Sequence, residues 1–152
     1  MFRTIVCATD GSDHGSHAVR IAADIAARYT ARLVIVHAVA EGRPPAALRH
    51  MVETEHMVEG AGEPDPILVS RAIVTKILDE ATDVAQAAGA AEVSTHLETG
   101  DAAAVILAAC DRLKADLVVM GTRGLGEIKG LLVGSVSNKV GQLAPCPCLT
   151  VK

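Results

Sequence analysis

The chain has 152 residues, of which half are hydrophobic, and its formal net charge is −4. This length fits one domain, and with one Phe, one Tyr and no Trp the core must be built from Val, Ile, Leu and Ala. The scattered basic residues argue against a nucleic-acid-binding surface, and the apolar stretches are shorter than the roughly 20 residues of a membrane-spanning helix.

The N-terminal segment enters a short apolar run at once and has no signal-peptide pattern. We therefore expect a cytoplasmic protein with no membrane or nucleic-acid partner. Four cysteines lie in or beside apolar runs, and nothing marks the chain as secreted. We expect all four to be reduced thiols: Cys7, Cys110, Cys146 and Cys148.

Along the chain, short segments rich in β-branched residues alternate with segments of helical periodicity. The predicted elements are, in order, strand Thr4–Thr9, helix Ser16–Tyr29, strand Leu33–Val39, helix Ile67–Ala88, strand Glu92–Leu97, helix Ala102–Leu113, strand Asp116–Met120, helix Ser135–Leu143 and strand Cys148–Val151. The alternation predicts a doubly wound α/β fold, in which helices cover both faces of a five-stranded parallel sheet. Ligands bind such sheets beyond the carboxyl ends of the strands.

One connection within this single domain, Ala40–Pro66, is too long for a plain loop. It contains four prolines and three glycines around Ala46–Glu59, a stretch that has the length of a short helix. We interpret it as an insertion, and three roles stay open for it: it covers a ligand, it contacts a partner, or it is only mobile.

Several polar residues have simple structural interpretations. Asp13 and Asp101 are placed to cap the first and third helices, and Asp24 is interpreted as a solvated side chain. His37 and His96 lie in strands, where we expect packed, hydrogen-bonded rings. We predict no metal site, because neither the histidines nor Cys146-Pro147-Cys148 have the spacing of a usual ligand set.

A glycine-rich loop follows the fourth strand, with five glycines in 14 residues: Gly121, Gly124, Gly126, Gly130 and Gly134. Glycines lose more conformational freedom on folding than other residues, so this density calls for a reason. Glycine lets main-chain N–H groups approach an anion closely, and the helix that begins at Ser135 would add the positive end of its dipole. The loop therefore indicates an anion site.

Two familiar phosphate-binding patterns do not fit this loop. The P-loop pattern fails because Glu127 stands where its lysine belongs. The dinucleotide fingerprint fails because Lys129 stands where its third glycine belongs, and because the loop follows the fourth strand rather than the first.

The pattern that matches is G-x2-G-x9-G-[ST], formed by Gly121, Gly124, Gly134 and Ser135, which resembles the loop of the nucleotide-binding universal stress proteins. The segments IVCATDGS, VIVHAV and APCPCLTVK also resemble that family's first, second and closing strands. The resemblance covers essentially the whole chain. It implies a Rossmann-like fold of the adenine nucleotide alpha hydrolase type, with the strand order 3-2-1-4-5.

The resemblance also implies a site for ATP, accompanied by Mg²⁺, at the ends of the first, second and fourth strands. Asp10 would meet the adenosine end, the main chain of Ala38 the adenine, and Gly121 the ribose. The other binding positions would cradle the phosphates: Gly124, Gly134, Ser135 and Val136. A carboxylate that closes a buried strand needs a partner, which independently favours a functional Asp10.

Arg123 and Lys129 lie within the same loop. They either add charge to the phosphates or only keep the loop solvated, and we favour solvation because exposed basic side chains are common on loops. No protein ligand for Mg²⁺ can be named from the sequence.

The function implied by the resemblance is that of a nucleotide-dependent regulatory module in stress response. Hydrolysis would be slow or absent, because the sequence shows no P-loop lysine and no evident water-orienting residue, so we assign no catalytic residue. The alternative is a dimeric interaction module of the same fold that binds no nucleotide. A true enzyme, such as a nucleotidyl transferase, would need a motif that the sequence lacks.

The resemblance further implies a homodimer, in which a second copy covers the exposed edge strand Cys148–Val151. The identity of any other protein partner stays open.

Overall fold

The structure is a computed structural model that describes residues 1–40, 66–125 and 134–152, with the main chain alone at 66 and 67. Apart from Ala40 and Pro66 themselves, the predicted insertion lies outside the described residues. So does the segment 126–133 of the glycine-rich loop, which includes Lys129.

The described residues form a five-stranded parallel sheet with four helices. The strands are β1 (Thr4–Ala8), β2 (Arg32–Val39), β3 (Val93–Thr99), β4 (Leu117–Gly121) and β5 (Cys148–Val151). The helices are α1 (Asp13–Tyr29), α2 (Pro66–Ala87), α3 (Ala102–Leu113) and α4 (Ser135–Leu143). The sheet order is β3-β2-β1-β4-β5, so the predicted α/β fold and strand order are confirmed.

The central strands are buried on both faces, because helices cover each side of the sheet. Ile5, Leu33 and Ile35 are fully buried on one face, in a cluster that also takes in α1 and the C-terminal half of α2. Val6 and Val118 are fully buried on the other, against α3 and α4. Each such side chain stabilises the fold by about 1.5–3 kcal/mol relative to its exposed state.

Two of the helix N-termini at the carboxyl end of the sheet, those of α1 and α3, are capped by side chains. Ser12 caps α1, because its hydroxyl accepts a hydrogen bond of 3.1 Å from Gly15 N–H. The prediction that Asp13 caps α1 was wrong: Ser12 has the extended backbone that a cap requires, whereas Asp13 is already the first helical residue. The prediction for α3 is confirmed, since Asp101 accepts a hydrogen bond of 3.0 Å from Ala104 N–H.

At the opposite end of the sheet, side chains close the turns. Asp116 accepts hydrogen bonds from the main-chain N–H groups of Arg3 (2.8 Å) and Thr4 (2.9 Å), and these bonds hold the pKa of its carboxyl below its ordinary value. Phe2 and Tyr29 meet edge to face nearby, with ring centroids 5.1 Å apart. The start of β1, the entry to β4 and the end of α1 are thereby held together.

The remaining polar residues mostly follow their simple interpretations. Asp24 is exposed, as expected of a solvated side chain, and it also pairs with Arg28 at 2.9 Å. His96 is hydrogen-bonded to Glu98 at 3.0 Å, but its side chain is one-third exposed rather than packed in the core. All four cysteines are free, and burial raises the pKa of the Cys7 thiol to about 12.

Within the part of the chain that the structure describes, no helix combines the length and the apolar character needed to cross a bilayer.

Candidate functional site

A cavity of about 430 Å³ opens at the carboxyl ends of β1, β2 and β4, where the order of the strands reverses direction. In doubly wound sheets this reversal leaves a crevice, because the two halves of the sheet send their connections to opposite faces. Residues of α2, α3 and α4 complete the walls. Six of the seven predicted site residues line the cavity: Asp10, Ala38, Gly121, Gly124, Ser135 and Val136. Gly134, the seventh, is the residue immediately before α4.

The carboxylate of Asp10 joins the end of β1 to the loop after β4. One of its oxygens accepts a hydrogen bond of 2.7 Å from Leu125 N–H, and the other accepts one of 3.0 Å from Ser12 N–H. The sequence indicated that Asp10 needs a partner but not that the partner is Leu125, since 115 residues separate the two. Asp10 therefore ties the start of the loop after β4 to the end of β1.

The glycines at 121 and 124 each have a packing reason of their own. A Cβ at Gly124 would lie 2.5 Å from Asp10 Oδ2, closer than real contacts allow. A Cβ at Gly121 would lie 2.9 Å from the main-chain carbon and the Cβ of His14, because the first turn of α1 rests on the end of β4. Close approach within the protein thus requires these two glycines even before a ligand is considered.

The N-terminus of α4 has no side-chain cap, unlike those of α1 and α3. Gly134 N–H donates to the carbonyl oxygen of Thr122 at 2.8 Å, so that group is already used. The next three N–H groups, of Ser135, Val136 and Ser137, have no partner within the helix and none elsewhere among the described residues. These groups are the donors that α4 offers to the cavity.

The main chain of Ala38 faces the same cavity from the other side. Val36 lies two residues earlier on β2, and its carbonyl oxygen accepts a hydrogen bond of 3.1 Å from Thr9 N–H. Alternate residues of a parallel strand direct their main-chain groups to the same neighbour, so those of Ala38 also point toward β1. β1 ends at Ala8, and the N–H and C=O of Ala38 therefore project beyond it into the crevice.

Two histidines lie beside the cavity. His37, which lines it, is 6% exposed, and its Nδ1 lies 2.9 Å from the main-chain oxygen of Thr9, so the expected packed, hydrogen-bonded ring is confirmed. His14 Nδ1 lies 3.2 Å from Thr122 Oγ1. Neither ring was predicted to belong to the site, although the position of His37 directly before Ala38 is a sequence signal for its place there.

The charged groups of the cavity are few. Among the described lining residues, Arg123 is the one lysine or arginine side chain, and it is exposed, as the solvation hypothesis expected. No three His, Cys, Asp or Glu side chains lie close enough to hold a metal ion in residues 1–40, 66–125 and 134–152. The cavity thus combines apolar walls with main-chain donors, and this arrangement suits a ligand with an apolar body and an anionic group.

Comparisons with known proteins agree with this architecture. The sequence model of the universal stress protein family matches residues 1–152. "Universal stress protein in QAH/OAS sulfhydrylase 3'region" from Thermus aquaticus is 37% identical over 156 residues, and the match covers 100% of both chains. Among solved structures, a universal stress protein in complex with cAMP is 32% identical, with a TM-score of 0.71, over 99% of this chain and 97% of the other. Universal stress protein UspA from Lactobacillus plantarum is 21% identical and shares the fold, with a TM-score of 0.76 and coverage of 99% and 98%.

Proposed function

Because this chain belongs to the universal stress protein family, we propose that it is a cytoplasmic regulatory module that binds ATP, accompanied by Mg²⁺, in the cavity where the strand order reverses. The bound nucleotide changes the surface that the protein presents to a partner. Hydrolysis is slow or absent.

The observation that carries this proposal is the uncapped N-terminus of α4, which meets one end of a cavity of about 430 Å³. The free N–H groups and the helix dipole stabilise a negative charge there. The volume lies within the range of about 300–1,000 Å³ that is typical of small-molecule sites. The relative in complex with cAMP, at 32% identity over nearly the whole chain, supports an adenine nucleotide as the ligand.

We assign the phosphates to the α4 end of the cavity. The N–H groups of Ser135 and Val136 and the Ser135 hydroxyl donate to phosphate oxygens, and Gly124 lets the loop approach them. Gly134 contributes as the N-cap residue immediately before the helix, since its own N–H is bound to the carbonyl oxygen of Thr122. Mg²⁺ is held through phosphate oxygens.

The nucleoside lies at the opposite end. The main-chain N–H and C=O of Ala38 meet the adenine, and the ribose lies against Gly121. Asp10 accepts hydrogen bonds from the ribose hydroxyls, because a carboxylate has about four acceptor positions and only two are used by Leu125 and Ser12.

The same geometry argues for weak catalysis. Phosphoryl transfer depends on positioned cations and an oriented nucleophile. Of the described lining residues, Arg123 alone carries a lysine or arginine charge, and it is exposed. We therefore propose no catalytic residue.

The decisive experiment is calorimetric titration of nucleotide-free protein with ATP and Mg²⁺, with Gly124→Ala compared against Gly141→Ala. We expect micromolar binding by the wild type. Gly124→Ala should weaken it by about tenfold or more, because the new Cβ would lie 2.5 Å from Asp10 Oδ2 and displace the loop. Gly141→Ala is the matched control, since nothing lies within 4 Å of its added Cβ.

Ser135→Ala removes one hydroxyl but keeps the N–H, so it should weaken binding by only about three- to tenfold. Absence of binding by nucleotide-free wild-type protein would reject the ATP proposal. It would favour the interaction module that binds no nucleotide.

A homodimer through β5 belongs to the same proposal. β5 pairs with β4 on one side, no other described strand pairs with its second side, and Leu149 on it is 37% exposed. An open edge of this kind is suited to a second copy. A strictly monomeric protein in gel filtration at micromolar concentration would contradict the dimer.

A further inference from the structure

The buried imidazole of His37 brings a side-chain acceptor to the cavity. His37 lies on β2 directly before Ala38, lines the cavity and is only 6% exposed. Its Nδ1 lies 2.9 Å from the main-chain oxygen of Thr9. Because a carbonyl oxygen can only accept, the proton of this hydrogen bond must belong to Nδ1.

This hydrogen bond fixes the tautomer of the ring. With the proton on Nδ1, the neutral imidazole presents Nε2 as an acceptor. The His37 ring makes no second hydrogen bond with any described residue. A buried acceptor without a partner is unfavourable, and native structures usually satisfy it with protein, water or ligand.

The surroundings of His37 are apolar. Val39 of β2 and Ile73 and Val74 of α2 line the cavity, and Val36 and Ile106 line it from the opposite face of the sheet. A flat heterocyclic base fits such a slot only if the polar atoms on its edge find partners. The main chain of Ala38 supplies one donor and one acceptor, and His37 Nε2 supplies a second acceptor.

We propose that His37 is a specificity-determining residue, whose Nε2 accepts a hydrogen bond from the amino group of a 6-aminopurine base. An amino group has two N–H donors, which match the Ala38 carbonyl and His37 Nε2. A 6-oxopurine would instead set an oxygen lone pair against that of Nε2. The inference rests on the proposed function, because it requires a nucleotide in the cavity.

The test compares ATP with purine riboside 5′-triphosphate, which lacks only the amino group, by calorimetry on three proteins. We expect the wild type to bind the analogue about three- to tenfold more weakly than ATP. His37→Phe has no ring acceptor, so its affinities for ATP and for the analogue should be more similar than those of the wild type. His37→Gln should restore the preference, because its amide can donate to Thr9 and its carbonyl can accept from the base.

A second measurement does not depend on the folding of any variant. In wild-type protein labelled with ¹⁵N-histidine, the Nε2 resonance of His37 should move upfield when ATP is added and stay in place with the analogue.

The outcomes separate the two hypotheses. If the wild type binds both ligands equally and the Nε2 resonance does not move, the His37 inference is overturned while nucleotide binding stands. A preference for ATP that is unchanged in folded His37→Phe overturns it as well. If the wild type binds neither ligand, the proposed function is rejected, and the His37 inference, which requires it, is rejected as well.

Discussion

The N-termini of α3 and α4 lie at the same end of the sheet and on the same face, but they differ in how their free N–H groups are satisfied. Both helices pack into one apolar cluster, through residues such as Ala103 and Val140. Asp101 is the N-cap of α3, and its side chain accepts from Ala104 N–H at 3.0 Å, whereas the N-cap of α4 is Gly134, which has no side chain to offer. One residue thus decides whether a helix end is closed or open to a ligand.

The electrostatics of the two helix N-termini differ in the same way. The hydrogen bond from Ala104 N–H and then the charge of Lys139 lower the pKa of Asp101, so α3 starts beside a carboxylate of its own. A fixed negative group at a helix N-terminus interacts favourably with the dipole. At α4 the corresponding stabilisation would come from an external anion, and the cavity lies there.

The largest effect is expected from giving α4 a carboxylate N-cap like the one that Asp101 provides for α3. Gly134→Asp should weaken ATP binding by about tenfold or more, because the new carboxylate would accept from the free N–H groups and repel phosphate. The backbone of Gly134, at φ −72° and ψ 157°, already has the extended conformation that a capping residue adopts. Calorimetry measures the binding, and a melting curve checks that the variant is folded.

Gly134→Ala is the control, since alanine is a poor cap and leaves the N–H groups available. If Gly134→Asp binds ATP as tightly as Gly134→Ala does, the anion does not sit at α4.

A smaller effect is expected from removing the side-chain cap of α3, which leaves its N-terminus uncapped like that of α4. Asp101→Ala removes the cap and should lower the melting temperature by about 2–4 °C. ATP binding should change by less than about twofold, because Asp101 is not among the residues that line the cavity. Asp111→Ala, an exposed substitution on the same helix, is the matched control for losing a surface charge pair.

The smallest expected effect is the pH dependence of the difference in melting temperature between the wild type and Asp101→Ala. The folded-state pKa of Asp101 is lowered, so the cap stabilises the protein above the ordinary pKa of an aspartate and loses its effect as the pH falls through the folded-state value. The melting temperatures of wild type and Asp101→Ala should therefore converge in acid. A constant difference down to strongly acidic pH would contradict a charged cap.

Local sequence patterns were sufficient for the elements of the fold. Runs of β-branched residues and helical periodicity located all nine described strands and helices, because burial on both faces of a sheet and on one face of a helix imposes those patterns. These local patterns could not decide whether Ser12 or Asp13 caps α1. Both residue types can cap, and only the backbone conformation of the folded chain decides.

The site was predictable to a smaller extent. The glycine spacing indicated an anion loop, but the contacts that require Gly121 and Gly124 come from His14 and Asp10, which lie more than a hundred residues away in sequence. The acceptor on His37 depends on a single hydrogen bond to Thr9 that fixes its tautomer. Such properties arise only when separate strand ends meet, so local patterns do not contain them.

The small aromatic content of the chain, the Phe2 and Tyr29 pair, makes its ultraviolet absorption useful for detecting a bound nucleotide. These two rings are the entire aromatic content of the chain apart from its histidines, and they lie at the end of the sheet opposite the cavity. Without tryptophan, the protein absorbs little in the near ultraviolet, where adenine absorbs strongly. The absorption spectrum of freshly purified protein would therefore report directly any nucleotide that it carries.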